Sequence, residues 1–202
     1  MKLFYFPGAC SLSPHIALLE AGLPFSIEKV NIKTKKTETG ADYFKTNPKG
    51  SVPALVLDDG SVLTEGPAIV QYVADQKPDS GLAPRAGTLE RYRLMEILNY
   101  ISSELHKSFS PLFNPATPAE AKPALQEIVG KKLDYLTGHL GERKFLLGDT
   151  FTVADAYLFT VLSWTAHVGI ELGKWPVLAA YHARVGHRPK VQEALKAEGL
   201  IH

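Results

Sequence analysis

The chain has one cysteine, Cys10, and it stands in the run Cys10-Ser11-Leu12-Ser13. A sulfur placed just ahead of a helix meets unpaired backbone N–H groups and the positive helix end, and both favour a thiolate. Each pKa unit of lowering there is worth about 1.4 kcal/mol to the anion. The spacing is Cys-x-x-Ser, not Cys-x-x-Cys, so no second thiol within the chain can resolve a mixed disulfide. Any redox partner must be an external thiol. The competing reading is a small buried hydrophobe. Position at a helix start beside Ser11 and Ser13 favours a working thiol.

Three further groups of residues are candidates. Val52-Pro53 follows Asn47-Pro48-Lys49-Gly50-Ser51. It reads either as an ordinary strand-opening proline or as a cis bond that turns the Val52 backbone outward, where an extended peptide could pair with it. In Glu65-Gly66-Pro67, Gly66 as N-cap and Pro67 as first helical residue would leave amides for a carboxylate. The Glu65 carboxylate beside them would attract an ammonium, so the pair suits an α-amino acid head group; a plain acidic helix start is the alternative. Asn99, Ser103 and His106 step by four and three and so share one helix face, flanked by Glu104 and Lys107. Taken alone, that face reads as solvated surface. Tyr5 could donate a phenolic hydrogen bond to a sulfur or could simply pack. Lys35 and Lys36 offer a carboxylate partner or solvated charge. The other histidines show no metal-ligand spacing, so no metal is expected. Gly8 stands without a glycine-rich nucleotide loop.

The elements that must position these residues change type along the chain. Leu3-Phe4-Tyr5-Phe6 reads as a buried strand stopped by Pro7-Gly8. Ser11 to Leu19 reads as a helix with Ser11 or Ser13 as N-cap, and Gly22 suits its left-handed end. Phe25, Ile27, Val30 and Ile32 mark a second strand. Ala54–Leu57 and Ser61–Leu63 flank Asp58-Asp59-Gly60, a hairpin signal. Gly66-Pro67 opens a helix running to about Asp75. A parallel βαβ half joined to an antiparallel hairpin is the arrangement of a thioredoxin-like fold. Beyond the Pro- and Gly-rich stretch the patterns are helical. Leu94, Leu98, Ile101 and Leu105 form a stripe closed by Pro111, and Leu125 to Leu140 form another. Thr152-Val153-Ala154-Asp155 caps an apolar, central helix, and Trp175-Pro176 and Arg188-Pro189 open two more. The expected division is a thioredoxin-like α/β domain at 1–77, a linker at 78–87 and an all-α domain at 88–202.

With 202 residues, 45% hydrophobic and 21% charged, the chain is long enough to bury a core without a disulfide staple. A formal net charge of +1 argues against a nucleic-acid binder, whose affinity rests on basic surface. No apolar run reaches the roughly 20 residues of a membrane span. The start breaks too early at Pro7-Gly8 for a signal peptide, and one cysteine fits a cytoplasmic protein.

Several runs together resemble the bacterial beta-class glutathione transferases. They are Tyr5-Phe6-Pro7-Gly8-Ala9-Cys10-Ser11, Asn47-Pro48-Lys49-Gly50-Ser51-Val52-Pro53-Ala54-Leu55, Leu63-Thr64-Glu65-Gly66, Asn99 through Lys107, and Phe151-Thr152-Val153-Ala154-Asp155-Ala156-Tyr157. The Val-Pro pair is common to all classes, whereas Pro-Gly-Ala-Cys-Ser with Glu-Leu-His-Lys is particular to this one. The resemblance implies glutathione as co-substrate, a small hydrophobic electrophile as second substrate, and a homodimer. It implies that Cys10 contacts the glutathione sulfur and can form a mixed disulfide with it. Val52, before a cis Pro53, would pair with the cysteinyl unit. Glu65 and Gly66 would take the γ-glutamyl head, and Lys35 would approach the glycyl carboxylate. Asn99 and His106 would approach the thiol, with Ser103 and Glu104 adding to glutathione binding. Tyr5 and Ser11, on either side of the cysteine loop, join the glutathione-binding set. Phe109, Phe113, Trp164 and His167 are candidates for the electrophile pocket. Some members carry Ser after the glutamate; Gly66 leaves only its amide for the head group. Two alternatives to conjugation stand beside it: glutathione-dependent disulfide exchange or reductive dehalogenation at Cys10, and a non-catalytic adaptor on the same fold.

Overall fold

Leu3, Phe4 and Tyr5 are all buried, so side chains on both faces of this strand are covered and it must lie inside a sheet. The computed structural model describes all 202 residues and places that strand, β1 (Lys2–Tyr5), at the centre. It pairs in parallel with β2 (Ser26–Asn31) and antiparallel with β4 (Ala54–Val56). β5 (Val62–Thr64) closes one edge against β4, with Leu55 opposite Leu63. The intervening turn is the expected hairpin, in which Asp59 accepts from the Ser61 N–H and Gly60 has φ +84°. A two-residue strand, β3 (Lys36–Thr37), forms the other edge on β2 and was not visible in the pattern. The sheet order is therefore β3-β2-β1-β4-β5.

The first helix, α1 (Leu12–Ala21), ends at Gly22 in the left-handed conformation, whose N–H reaches back to Leu19. The second, α2 (Gly66–Gln76), packs on α1. Its N-cap is Glu65 at φ +70°, not Gly66 as expected, so Gly66 and Pro67 both lie inside the first turn.

The second group of helices begins with α3 (Leu89–Asn99), capped by the Thr88 side chain. A π-helical stretch, Tyr100–His106, joins it without a break to α4 (Lys107–Phe113). Pro111 was expected to close this helix and instead sits inside its last turn. Burial of Phe109 and Leu112 on the same turn offsets the one lost backbone bond. Then follow α5 (Lys122–Leu140), α6 (Val153–Ser163) and α7 (Pro176–Gly186). α6 is buried from Val153 to Leu162, which makes it the core helix its all-round apolar sequence anticipates. Asp155, fully buried, accepts from Leu146 N, Thr152 N, Thr152 Oγ1 and Tyr181 Oη at 2.8 to 2.9 Å.

By contacts the chain divides into Met1–Ala83 with His187–His202, and Pro84–Gly186. This differs from the division at 77 and 88 drawn from element order. The last helix, α8 (Pro189–Ala197), packs on α1, and Arg188 clamps Glu20 through two bonds of 2.7 and 2.9 Å. No helix is long and apolar enough to cross a membrane, and no group of three His, Cys, Asp or Glu side chains gathers to hold a metal ion.

Candidate active site

Cys10 lies in the loop between β1 and α1, half-buried, and its thiol donates to the Val52 carbonyl at 3.2 Å. Two motifs separated by 42 residues in sequence thus meet at one point. The Val52-Pro53 bond is cis, and Val52 precedes β4, so its N–H stands outside the sheet ladder. The carbonyls on either side are fixed as well. Lys35 Nζ donates to the Gly50 carbonyl at 2.7 Å, while Tyr43 Oη and Asn47 Nδ2 both donate to the Ser51 carbonyl, at 2.9 and 2.7 Å. Tyr43 is held within the core beside Phe4, and burial pushes its phenol up to about 12, so it remains a donor. Three successive carbonyls are therefore oriented by side chains. Lys35 and the Asn47 motif are legible in the sequence, whereas Tyr43, an aromatic residue in an irregular stretch, carries no local signal for its bond to the Ser51 carbonyl.

Ser11 holds the expected N-cap position of α1, but its side chain is engaged elsewhere. It is fully buried, and its hydroxyl accepts from Phe6 N at 3.1 Å and donates to Phe6 O at 3.2 Å. It caps no helical amide and closes the loop that carries Cys10 instead. Ser13 donates to the Cys10 carbonyl at 2.9 Å. Tyr5 packs its ring near His15, with centroids 6.3 Å apart. Burial chiefly, with Glu198 and Glu38 adding, raises its phenol above the ordinary value.

Glu65 is exposed at the start of α2 with its backbone in a sparsely populated conformation, a form of local strain that recurs at binding sites. Lys49 Nζ bonds both to Glu65 Oε1 at 2.5 Å and to Thr64 Oγ1 at 2.7 Å. Gly66 opens the helix, so its N–H has no carbonyl one turn back within α2 to accept it. A carboxylate and a helix-start amide stand side by side, with Lys49 as a partner that sequence reasoning did not single out.

In the helical unit the expected polar face is split. Asn99, Ser103 and Glu104 are exposed; Ser103 donates to the Asn99 carbonyl, and Glu104 pairs with Lys132. The π stretch intervenes, and His106 turns inward from that face. Such stretches are frequent at functional sites. His106 Nδ1 lies 2.7 Å from Tyr157 Oη, and its ring meets Trp164 edge-on at 4.7 Å. Burial, with Lys107 adding, lowers its pKa to about 4, so the imidazole is neutral at neutral pH. Phe109 and Phe113 complete the cluster, each 5.8 Å from Trp164. Phe109 is fully buried and Phe113 exposed, which makes Phe113 the rim. His167 is exposed on the following turn and shares no ring contact with this cluster, so the structure does not bring it to the pocket.

The chain is similar to known proteins over its whole length. A family model described as "Glutathione S-transferase, N-terminal domain" matches residues 8–76, and one described as "Glutathione S-transferase, C-terminal domain" matches residues 100–189. Glutathione S-transferase GstA of Escherichia coli O157:H7 is 52% identical over 200 residues, which is 99% of this chain and 100% of that one. A bacterial beta-class glutathione S-transferase of Sphingomonas chungbukensis superposes with a TM-score of 0.96 at 54% identity, all of both chains being covered. A sphingomonad glutathione S-transferase solved in complex with glutathione gives 0.96 at 53%, again over all of both chains.

Proposed function

Because this chain belongs to the glutathione S-transferase family, in its bacterial beta class, we propose that the Cys10 loop, the Val52 backbone and the Glu65-Gly66 helix start together hold glutathione for attack on a small hydrophobic electrophile. The observation that carries this reading is the 3.2 Å approach of the Cys10 thiol to the Val52 carbonyl. A peptide extended along Val52 would place its central, cysteinyl residue beside Cys10. Its γ-glutamyl ammonium would then meet the Glu65 carboxylate and its α-carboxylate the Gly66 amide, a charge-matched pair. Lys35, which now donates to the Gly50 carbonyl, is the cation this reading assigns to the glycyl carboxylate.

Conjugation needs the glutathione sulfur as a thiolate, which attacks the electrophilic carbon as the leaving group departs with its electron pair. Polar donors, including the Cys10 thiol, stabilise that anion. His106 is a neutral ring whose Nδ1 is engaged by Tyr157, so Nε2 is the nitrogen left for a further hydrogen bond. Asn99, Ser103 and Glu104 are exposed polar groups that the family likeness suggests for glutathione binding. Phe109, Phe113 and Trp164 supply the apolar surface for the electrophile. We also propose that the protein is a cytoplasmic homodimer, which light scattering would report as twice 22.1 kDa.

A second activity uses the same sulfur. Cys10 thiolate attacks one sulfur of oxidised glutathione, forming a protein–glutathione disulfide and expelling glutathione thiolate; the thiolate of a different, acceptor thiol then attacks the glutathionyl sulfur, taking that group as a new mixed disulfide and releasing the Cys10 thiolate. Saturating glutathione with a chloro-nitroaromatic acceptor tests the main reading. Adduct formation well above the buffer rate is expected, and a rate equal to buffer overturns it. A Cys10→Ala variant separates the two chemistries: conjugation is slowed by loss of one donor to the thiolate but stays above the buffer rate, whereas disulfide exchange is abolished.

A further inference from the structure

The loop bearing Cys10 is held from the far end of the chain. Glu198, just after α8, is buried, and its carboxylate makes two bonds of 2.9 Å: Oε2 accepts from the Gly8 N–H, and Oε1 meets His15 Nδ1 on α1. Burying a carboxylate is unfavourable unless both oxygens are satisfied, and here the two partners are the loop and the helix that follows it. Gly8 has φ +71°, and the Leu200 methyls lie 3.5 and 3.9 Å from where a side chain at Gly8 would begin. The turn Glu198-Gly199-Leu200 is itself closed by bonds from Gly199 N to Lys196 O and Leu200 N to Leu195 O. The tail thus fixes the loop from one side, while Ser11 fixes it through Phe6 from the other.

We propose that Glu198 is a positioning residue for catalysis, setting the Cys10 loop through the Gly8 amide and α1 through His15. Within reach of Val52, the sulfur has little latitude: it stands two residues from Gly8, and loosening the amide frees the turn that aims it. This inference rests on the proposed role of Cys10.

Two variants separate geometry from charge. Glu198→Gln keeps the length and can still accept from Gly8 while donating to His15. Glu198→Asp keeps the charge, but the shortened side chain cannot span both partners. The expected result for conjugation is kcat reduced at least about tenfold in E198D, with KM for glutathione changed less than about threefold, and both within about threefold of wild type in E198Q. A merely structural role would lower the amount of folded enzyme and leave kcat per folded molecule unchanged; that outcome overturns the proposal, as does equal impairment of both variants. Cys10 is the only thiol, so its alkylation rate by iodoacetamide offers a readout that needs neither glutathione nor activity. A rate altered at least about threefold in E198D and within about twofold in E198Q supports the brace even if wild-type conjugation fails, whereas equal rates in all three proteins refute it.

Discussion

Replacing His106 by glutamine keeps a hydrogen-bonding partner for Tyr157 while removing the titrating ring from the aromatic cluster. Burial lowers the ring's pKa from 6.5 to about 4. In the unfolded chain the same ring titrates near its ordinary value. Below that value the unfolded chain takes up a proton that the folded chain refuses. The stabilising term is therefore complete above about pH 6.5, and it is lost as pH falls until the folded ring also protonates near 4. Between about pH 7.5 and pH 5 this one group removes about 2 kcal/mol of stability. Urea unfolding of wild type and H106Q across that range isolates the term, because every other titration is common to both. The stability difference should move by about 2 kcal/mol in favour of the variant on acidification. A movement under about 0.5 kcal/mol would mean a solvated ring, and would refute the inward turn assigned to the π stretch.

Glu65→Gln should raise KM for glutathione about tenfold, the worth of one charge-assisted contact, while unfolding shifts by less than about 1 kcal/mol because the Lys49–Glu65 pair is exposed. Unchanged KM would remove Glu65 from the head-group site. Asp155→Asn leaves one carboxamide oxygen to serve four buried donors, so it should cost at least about 2 kcal/mol and lower Tm by roughly 4–8 °C. Calorimetry showing no loss would contradict the account of the α6 start.

What could be read from sequence was what short stretches of backbone decide. The Asp58-Asp59-Gly60 turn, the Gly22 helix end and the apolar α6 each follow from local chemistry, and all three stand in the structure. The runs around Cys10 and Val52 were separately legible, but that their atoms come within 3.2 Å follows only from β1 pairing with β4. Glu198 was invisible because its partners Gly8 and His15 lie 190 and 183 residues away, and an acid beyond a short C-terminal helix reads as surface. The π stretch escaped for a different reason: the steps of four and three through Asn99, Ser103 and His106 fit an ordinary helix, and nothing in the composition marks the widened turn. β3, at two residues, is too short to carry an alternating pattern.

Intact-mass measurement after incubation with oxidised glutathione, with Cys10→Ser alongside, tests the sulfur, the ligand and the docking surface at once. A single glutathionyl addition on the wild-type chain, absent from the variant, is the predicted result. A wild-type chain that stays unmodified, or a variant that gains the same mass, would contradict the placement of glutathione at Cys10.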